Sequence, residues 1–179
     1  MRHLQPWARY CSRCGTDGFV AVDERHFHCR ACHFDYYHNL AAVVCALIRH
    51  QDRIALIVRG RDPGRGLLDL PGGFVDPGES LEAAVNREVR EEIGIVITKP
   101  RYLFSAPNTY PYGGVTYSTV DAVFETTIDA VPALTPNDEV VALRWRTLGE
   151  IDLGEVAFES IRNTLGRLRE SATALTGET

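Results

Sequence analysis

The segment from Gly72 to Ile95, GGFVDPGESLEAAVNREVREEIGI, carries six acidic side chains and two arginines. It constrains the fold more than any other part of the chain. Pro77-Gly78 makes a turn, Ser80 suits a helix N-cap, and Gly94 is a C-terminal stop. Between them Leu81, Val85 and Val89 recur every four residues, so one face of the helix must enter a core. Glu88, Glu91 and Glu92 follow at i, i+3 and i+4, which puts three carboxylates on neighbouring parts of one face. That end of a helix is the negative pole of its dipole. Each glutamate there costs about 0.3–1 kcal/mol, and like charges at i, i+4 add to it. Arg87 offsets part of the cost by pairing with Glu91. A divalent cation would offset far more, because magnesium favours carboxylate oxygens and water. A solvated charged face is the other reading of such a run.

The flanking sequence sets the frame. From Leu40 the chain reads AAVVCALIRHQDRIALIV, two buried strands at Ala42–Ile48 and Ile54–Val58 around a polar turn. A loop rich in glycine and proline, RGRDPGRGLLDLPGG, leads into the helix. GGVTYSTVDAVFET and EVVALRWRTL have strand character, and Phe158, Ile161, Leu165 and Leu168 fall at helical spacing. The tail after Glu170 is small and polar, with the character of a frayed end. Strands mixed with two helices imply an α/β sandwich.

Four of the five cysteines form two tight pairs, Cys11-x2-Cys14 and Cys29-x2-Cys32, with fourteen residues between the pairs. Two such knuckles complete a closed tetrahedral zinc site. Disulfides are the alternative, and a reducing compartment disfavours them. With four thiolates present, His28 and His33 are surface or packing residues. Cys45, in an apolar strand, belongs to the core.

Net charge is −5 with a pI near 5.7, which argues against a general nucleic-acid binder. No apolar run is long enough for a membrane span, and MRHLQPWARYC lacks an apolar signal core, so a cytoplasmic location is expected.

Gly73, Glu79, Arg87, Glu88, Val89, Glu91, Glu92, Gly94 and Ile95 together resemble the Nudix box, G-x5-E-x7-R-E-U-x-E-E-x-G-U, at every defined position. The resemblance implies a Nudix α/β/α sandwich with a mixed sheet, preceded by a small N-terminal zinc ribbon. The expected division is a ribbon over 1–38, a hydrolase domain over 39–170 and a flexible tail over 171–179. The implied activity is magnesium- or manganese-dependent hydrolysis of a nucleoside diphosphate linked to another moiety. By resemblance Glu88, Glu91 and Glu92 hold the metal, assisted by the Gly73 carbonyl. Arg87 orients the glutamates, and Glu79 pairs with Arg87 or holds the helix. A downstream acidic loop suggests Glu139 as a base or further ligand, with an acidic surface loop as the alternative.

The cysteine module resembles the ribbon of NADH pyrophosphatases, which braces the fold or a dimer interface. Those enzymes carry a motif beginning S-Q-P-W. Here SAPNTYPYGG keeps Ser105 and Pro107, while Ala106 and Asn108 replace Gln and Trp. Pro111, sixteen residues beyond the box, resembles ADP-ribose pyrophosphatases, and Tyr110 falls near a tyrosine of dinucleoside polyphosphate hydrolases. Tyr110 and Tyr112 are candidates to stack on a base. Arg59, Arg61 and Arg65 flank the phosphate-side loop, with Arg59 the candidate contact. The expected substrate is a small nucleotide, ADP-ribose or NAD(H). The alternatives are nucleoside triphosphate cleanup, RNA-cap hydrolysis, or a sensor that binds without turnover. A homodimer is compatible with all of them.

Overall fold

The computed structural model describes residues 9–131, 133 and 137–176; residues 1–8, where the absence of a signal core was read, and 177–179, the end of the expected tail, lie outside them. A small antiparallel sheet comes first, from β1 (Phe19–Ala21), β2 (His26–Cys29) and β3 (Asp35–Tyr37). Its core is little more than Phe19, Phe27, Cys11 and Cys29, with the Phe19 and Phe27 rings 5.7 Å apart. So few buried groups do not hold a unit of this size without a staple.

The two cysteine turns are built alike. Gly15 N–H donates to the Cys11 carbonyl at 2.8 Å, and His33 N–H donates to the Cys29 carbonyl at 2.9 Å. Each donor lies four residues after the first cysteine of its pair and has left-handed φ, 72° at Gly15 and 59° at His33. This matched geometry turns both sulfur pairs toward one point. All four Sγ atoms lie within 4.8 Å of one another.

The main sheet contains β4 (Ala41–His50), β5 (Arg53–Arg59), β6 (Leu68–Asp69), β7 (Gly72–Phe74), β8 (Arg101–Tyr112), β9 (Val115–Thr127) and β10 (Val140–Thr147). The order is β10-β5-β4-β9-β8, with β6 on β5 and β7 on β4. The β4–β9 pair is parallel and the other pairs are antiparallel, so the sheet is mixed.

Helix α1 (Leu81–Ile93) covers one face and α2 (Glu159–Thr176) the other. Val44, Ala46 and Ile48 pack with Val85 and Val89 of α1, whereas Cys45 and Leu47 pack with Ile161 and Leu165 of α2. The alternation explains why β4 reads as unbroken apolar sequence: both of its faces are buried. The result is the expected α/β/α sandwich behind a three-stranded ribbon.

Two features depart from the sequence reading. The twelve-residue strand β8 lacks a continuous strand signal in the sequence, because Pro107 and Pro111 interrupt it. It is the outermost strand, beyond β9, and an edge strand tolerates residues that lack an N–H. Helix α2 also continues to Thr176, past the point where fraying was expected. Among the described residues no helix is long and apolar enough to cross a membrane.

Gly72 locks β7 against β4. It has φ 153°, and a Cβ there would lie 2.0 Å from the Val44 carbonyl oxygen and 2.9 Å from the Cys45 Cα. Gly72→Ala is therefore expected to destabilise the fold by about 2 kcal/mol or more. Urea denaturation checks this, and a midpoint equal to that of the parent would contradict the packing described.

Candidate active site

The site is assembled on α1. The Ser80 hydroxyl accepts from Ala83 N–H at 3.2 Å, and Gly94 closes the helix with φ 73°. Val85 and Val89 anchor the inner face, so the rotation of the helix is fixed. That rotation delivers Glu92 to the interior beside Ile93, leaves Glu88 half-buried and sends Glu91 outward.

Arg87 organises these carboxylates. Its Nε and Nη2 donate to the two Glu79 oxygens at 3.0 and 2.9 Å. Nη1 donates to Glu88 Oε1 at 2.7 Å and to Glu91 Oε2 at 3.2 Å, and Nη2 also reaches the Phe74 carbonyl at 3.0 Å. All five guanidinium N–H groups are thus used, which lysine could not reproduce.

Gly73 lies directly against Glu88: a Cβ there would be 2.5 Å from Glu88 Oε1. Only a residue without a side chain leaves the carboxylate in that place. Beside it, Gly72 N–H donates to Glu92 Oε2 at 2.8 Å. Burial raises the pKa of Glu88, although Arg87 pulls the other way. Burial raises Glu92 well above the ordinary carboxylate range, against the Gly72 hydrogen bond.

Glu88 and Glu92 line a cleft of about 440 Å³, together with Gly73, Arg59, Tyr110, Tyr112 and Glu139. Glu139 follows a turn in which Asn137 Oδ1 accepts from the N–H groups of Glu139 and Val140, and its carboxylate accepts from Arg61 Nη1 at 2.8 Å. Glu91 is not among the lining residues; its carboxylate is half exposed beside Arg87. Arg65 does not line the cleft either.

Arg59 lines the cleft but is already engaged. It donates to Asp69 Oδ2 and to the Pro63 carbonyl, each at 2.8 Å, and lies 4.8 Å from the centre of the Phe158 ring. Tyr110 stands edge-on to Phe74 at 5.3 Å and 5.7 Å from Phe158, which makes an aromatic wall.

Several cleft residues were not singled out from sequence. Asp69 is buried, and burial raises its pKa to about 6 despite Arg59. Asp121 is also buried and accepts from Thr119 Oγ1, Ser160 Oγ and Asn108 Nδ2. An aspartate inside the apolar strand run TVDAVF was the available signal. Phe158 has the spacing of a core residue and packs against the core, yet it also lines the cleft.

In the ribbon, Cys11 and Cys32 sulfurs are 3.8 Å apart, and those of Cys14 and Cys29 are 3.7 Å apart. Tetrahedral zinc with bonds of about 2.3 Å places sulfurs about 3.8 Å from one another. All five cysteines are free thiols, so the disulfide alternative is not realised. His28 is turned to Asp35, with Nδ1 at 2.9 Å from its carboxylate.

Residues 38–164 match the NUDIX domain. The chain belongs to this family. The NAD-capped RNA hydrolase NudC of Escherichia coli is 30% identical over 165 residues, covering 90% of this chain and 62% of that protein. NudC of Stutzerimonas stutzeri is 35% identical over 104 residues, covering 58% of this chain and 37% of that protein. The chain therefore spans less than two thirds of these curated relatives. Among solved structures, a NUDIX hydrolase from Nitrosomonas europaea superimposes with a TM-score of 0.71 at 26% identity, covering 90% of each chain. A bifunctional NMN adenylyltransferase/ADP ribose pyrophosphatase from Francisella tularensis gives 0.59 at 25% identity, covering 75% of this chain and 42% of that one. The Nudix box thus sits on a Nudix fold, with its helix at the cleft.

The raised carboxyl of Glu92 has a definite pH signature. A folded value above the unfolded one means that the folded protein holds a proton the unfolded chain releases. This group's contribution to stability is therefore favourable at low pH and is lost as pH rises from the ordinary carboxylate range through the raised folded value. In metal-free protein, Glu92→Gln is expected to gain stability relative to the parent as pH rises from 4 to 8. Melting temperatures across that range check it; a variant that loses equally at both ends would contradict the burial argument.

Proposed function

We propose that the chain is a divalent-cation-dependent pyrophosphohydrolase of nucleoside diphosphate-linked compounds, of the ADP-ribose or NAD(H) class. The observation that carries this reading is the half-buried Glu88 and the buried Glu92 facing an aromatic-walled cleft, Glu92 with no cationic partner and Glu88 with only Arg87, which it shares with Glu79 and Glu91. Natural cores avoid such uncompensated charge, so its retention points to a charged ligand.

The residues fit a hard cation. Glu88, Glu91 and Glu92 would hold magnesium or manganese, with the Gly73 carbonyl as a further oxygen ligand. When bound, such an ion supplies charge neutralisation at the diphosphate and an activated water. Arg87 keeps the carboxylates aimed and does not itself touch substrate. Glu139, at the cleft rim, is the candidate to accept a proton from the attacking water. Tyr110 and Tyr112 would flank a base or ribose, and Arg59 would hold Phe158 and Asp69 as part of the substrate wall. The ribbon would take zinc through Cys11, Cys14, Cys29 and Cys32 as a structural ion. The proposed division is a ribbon over 1–38 and a hydrolase domain over 39–170, with α2 running on into the tail over 171–179. Localisation in the cytoplasm and a homodimer are consistent with this reading.

Removal of a nucleotide cap from RNA is a second reading. It is favoured by the relatives named as NAD-capped RNA hydrolases, and it breaks the same kind of bond. A net charge of −5 argues for a small nucleotide in preference to an RNA chain.

A hydrolysis screen with magnesium or manganese tests the proposal against ADP-ribose, NADH, NAD and NAD-capped RNA. Turnover of at least one diphosphate-linked compound is expected, and Glu92→Gln should lower it by about two orders of magnitude or more while the protein stays folded. Full activity in that variant would remove Glu92 from the metal site. Separately, Cys11→Ser is expected to lose bound zinc and melt at lower temperature; unchanged zinc content by elemental analysis would refute the ribbon assignment.

A further inference from the structure

Asn108 stands on the cleft-facing side of β8, at the position where the S-Q-P-W motif has Trp. Residues 108, 110 and 112 of β8 and residues 119 and 121 of β9 alternate onto one face, and all five line the cleft. Asn108 Nδ2 donates to Asp121 Oδ2 at 3.0 Å. The same carboxylate accepts from Ser160 Oγ at 2.6 Å and from Thr119 Oγ1 at 2.7 Å.

This network sets the orientation of the amide. A carboxylate offers acceptors alone, so the NH2 side of Asn108 must face Asp121 and the carbonyl Oδ1 must face away from it. The buried Asp121 is itself held by two other donors, Ser160 at the start of α2 and Thr119 two residues earlier on the same strand, β9. Rotation of the amide would set oxygen against oxygen. Asn108 Oδ1 receives no protein hydrogen bond among the described residues, and Asn108 is one of the residues lining the cleft.

We infer that Asn108 is a specificity-determining residue whose Oδ1, oriented by the hydrogen bond from its Nδ2 to Asp121, accepts a hydrogen bond from a substrate hydroxyl or amino group. The inference rests on the proposed hydrolase reading and names what that cleft selects. A substrate carrying a donor there satisfies Oδ1. An analogue presenting an acceptor or nothing leaves it desolvated without a partner and is rejected. The donor can come from a ribose hydroxyl or from an amino group of a base or carboxamide.

The test compares kcat/KM for ADP-ribose with two analogues, one lacking a ribose hydroxyl and one with the adenine amino group replaced by a carbonyl oxygen. The same comparison is made for NADH and its nicotinic acid analogue. The parent is expected to disfavour one analogue by about 3- to 10-fold, which identifies the source of the donor, and Asn108→Ala should abolish that preference. Ser160→Ala removes a donor from Asp121 but leaves Oδ1 in place, so it should keep the preference and lower only thermal stability. The inference is overturned if Asn108→Ala discriminates as the parent does, if the parent disfavours none of the analogues, or if Ser160→Ala loses the preference equally. If no compound is turned over, the hydrolase reading fails by itself. Dissociation constants for the same compounds from isothermal titration then decide the role of Asn108 by the same ratios.

Discussion

The guanidinium of Arg87 is the group on which the site depends. It spends all five N–H groups on Glu79, Glu88, Glu91 and the Phe74 carbonyl, and so ties α1 to the glycine turn that precedes it. Without it, three glutamates at the negative end of a helix would repel one another into solvent. With it, Glu88 is held against Gly73, where a single methyl group would collide with its carboxylate. The glycine and the arginine are two halves of one constraint: one makes the space and the other fills it with a directed charge.

That constraint is affordable because the rest of the sandwich is well buried. The central strands β4 and β5 are apolar on both faces, and the two helices press on them from opposite sides. Hydrophobic burial on that scale tolerates a few unfavourable charges in a cleft. Glu92 and Asp69 both have their carboxyls raised by burial, and both face the same space. The ribbon follows the opposite logic. Its apolar core is too small to sustain it, and its fold is specified by two superimposable turns that aim four sulfurs at a point.

Much of this was legible from residue order. The helix at 81–93 was bounded by its caps and turned by its apolar spacing, and the knuckle cysteines defined their own cluster. The strand at 101–112 was not legible, because the prolines that disguise it are harmless only at a sheet edge. Nor did the sequence indicate that Arg59 is already occupied by Asp69, Pro63 and Phe158. Phe158 met a core periodicity and also forms part of the cleft wall, since residues at the start of a helix can serve both.

The sequence by itself determined the local chemistry: a capped acidic helix, a four-thiol module and apolar runs long enough for a two-sided sheet. These follow from short-range periodicity and from residue type, which do not need a partner to be read. Only the tertiary structure decided which of the glutamates is buried, that Asp121 gathers Asn108, Thr119 and Ser160, and that Glu139 reaches the same cleft as Glu88. Most of those outcomes join residues on different elements, as Ser160 of α2 is joined to Asp121 of β9. They depend on strand order and helix rotation, which are fixed when the whole core packs and not before.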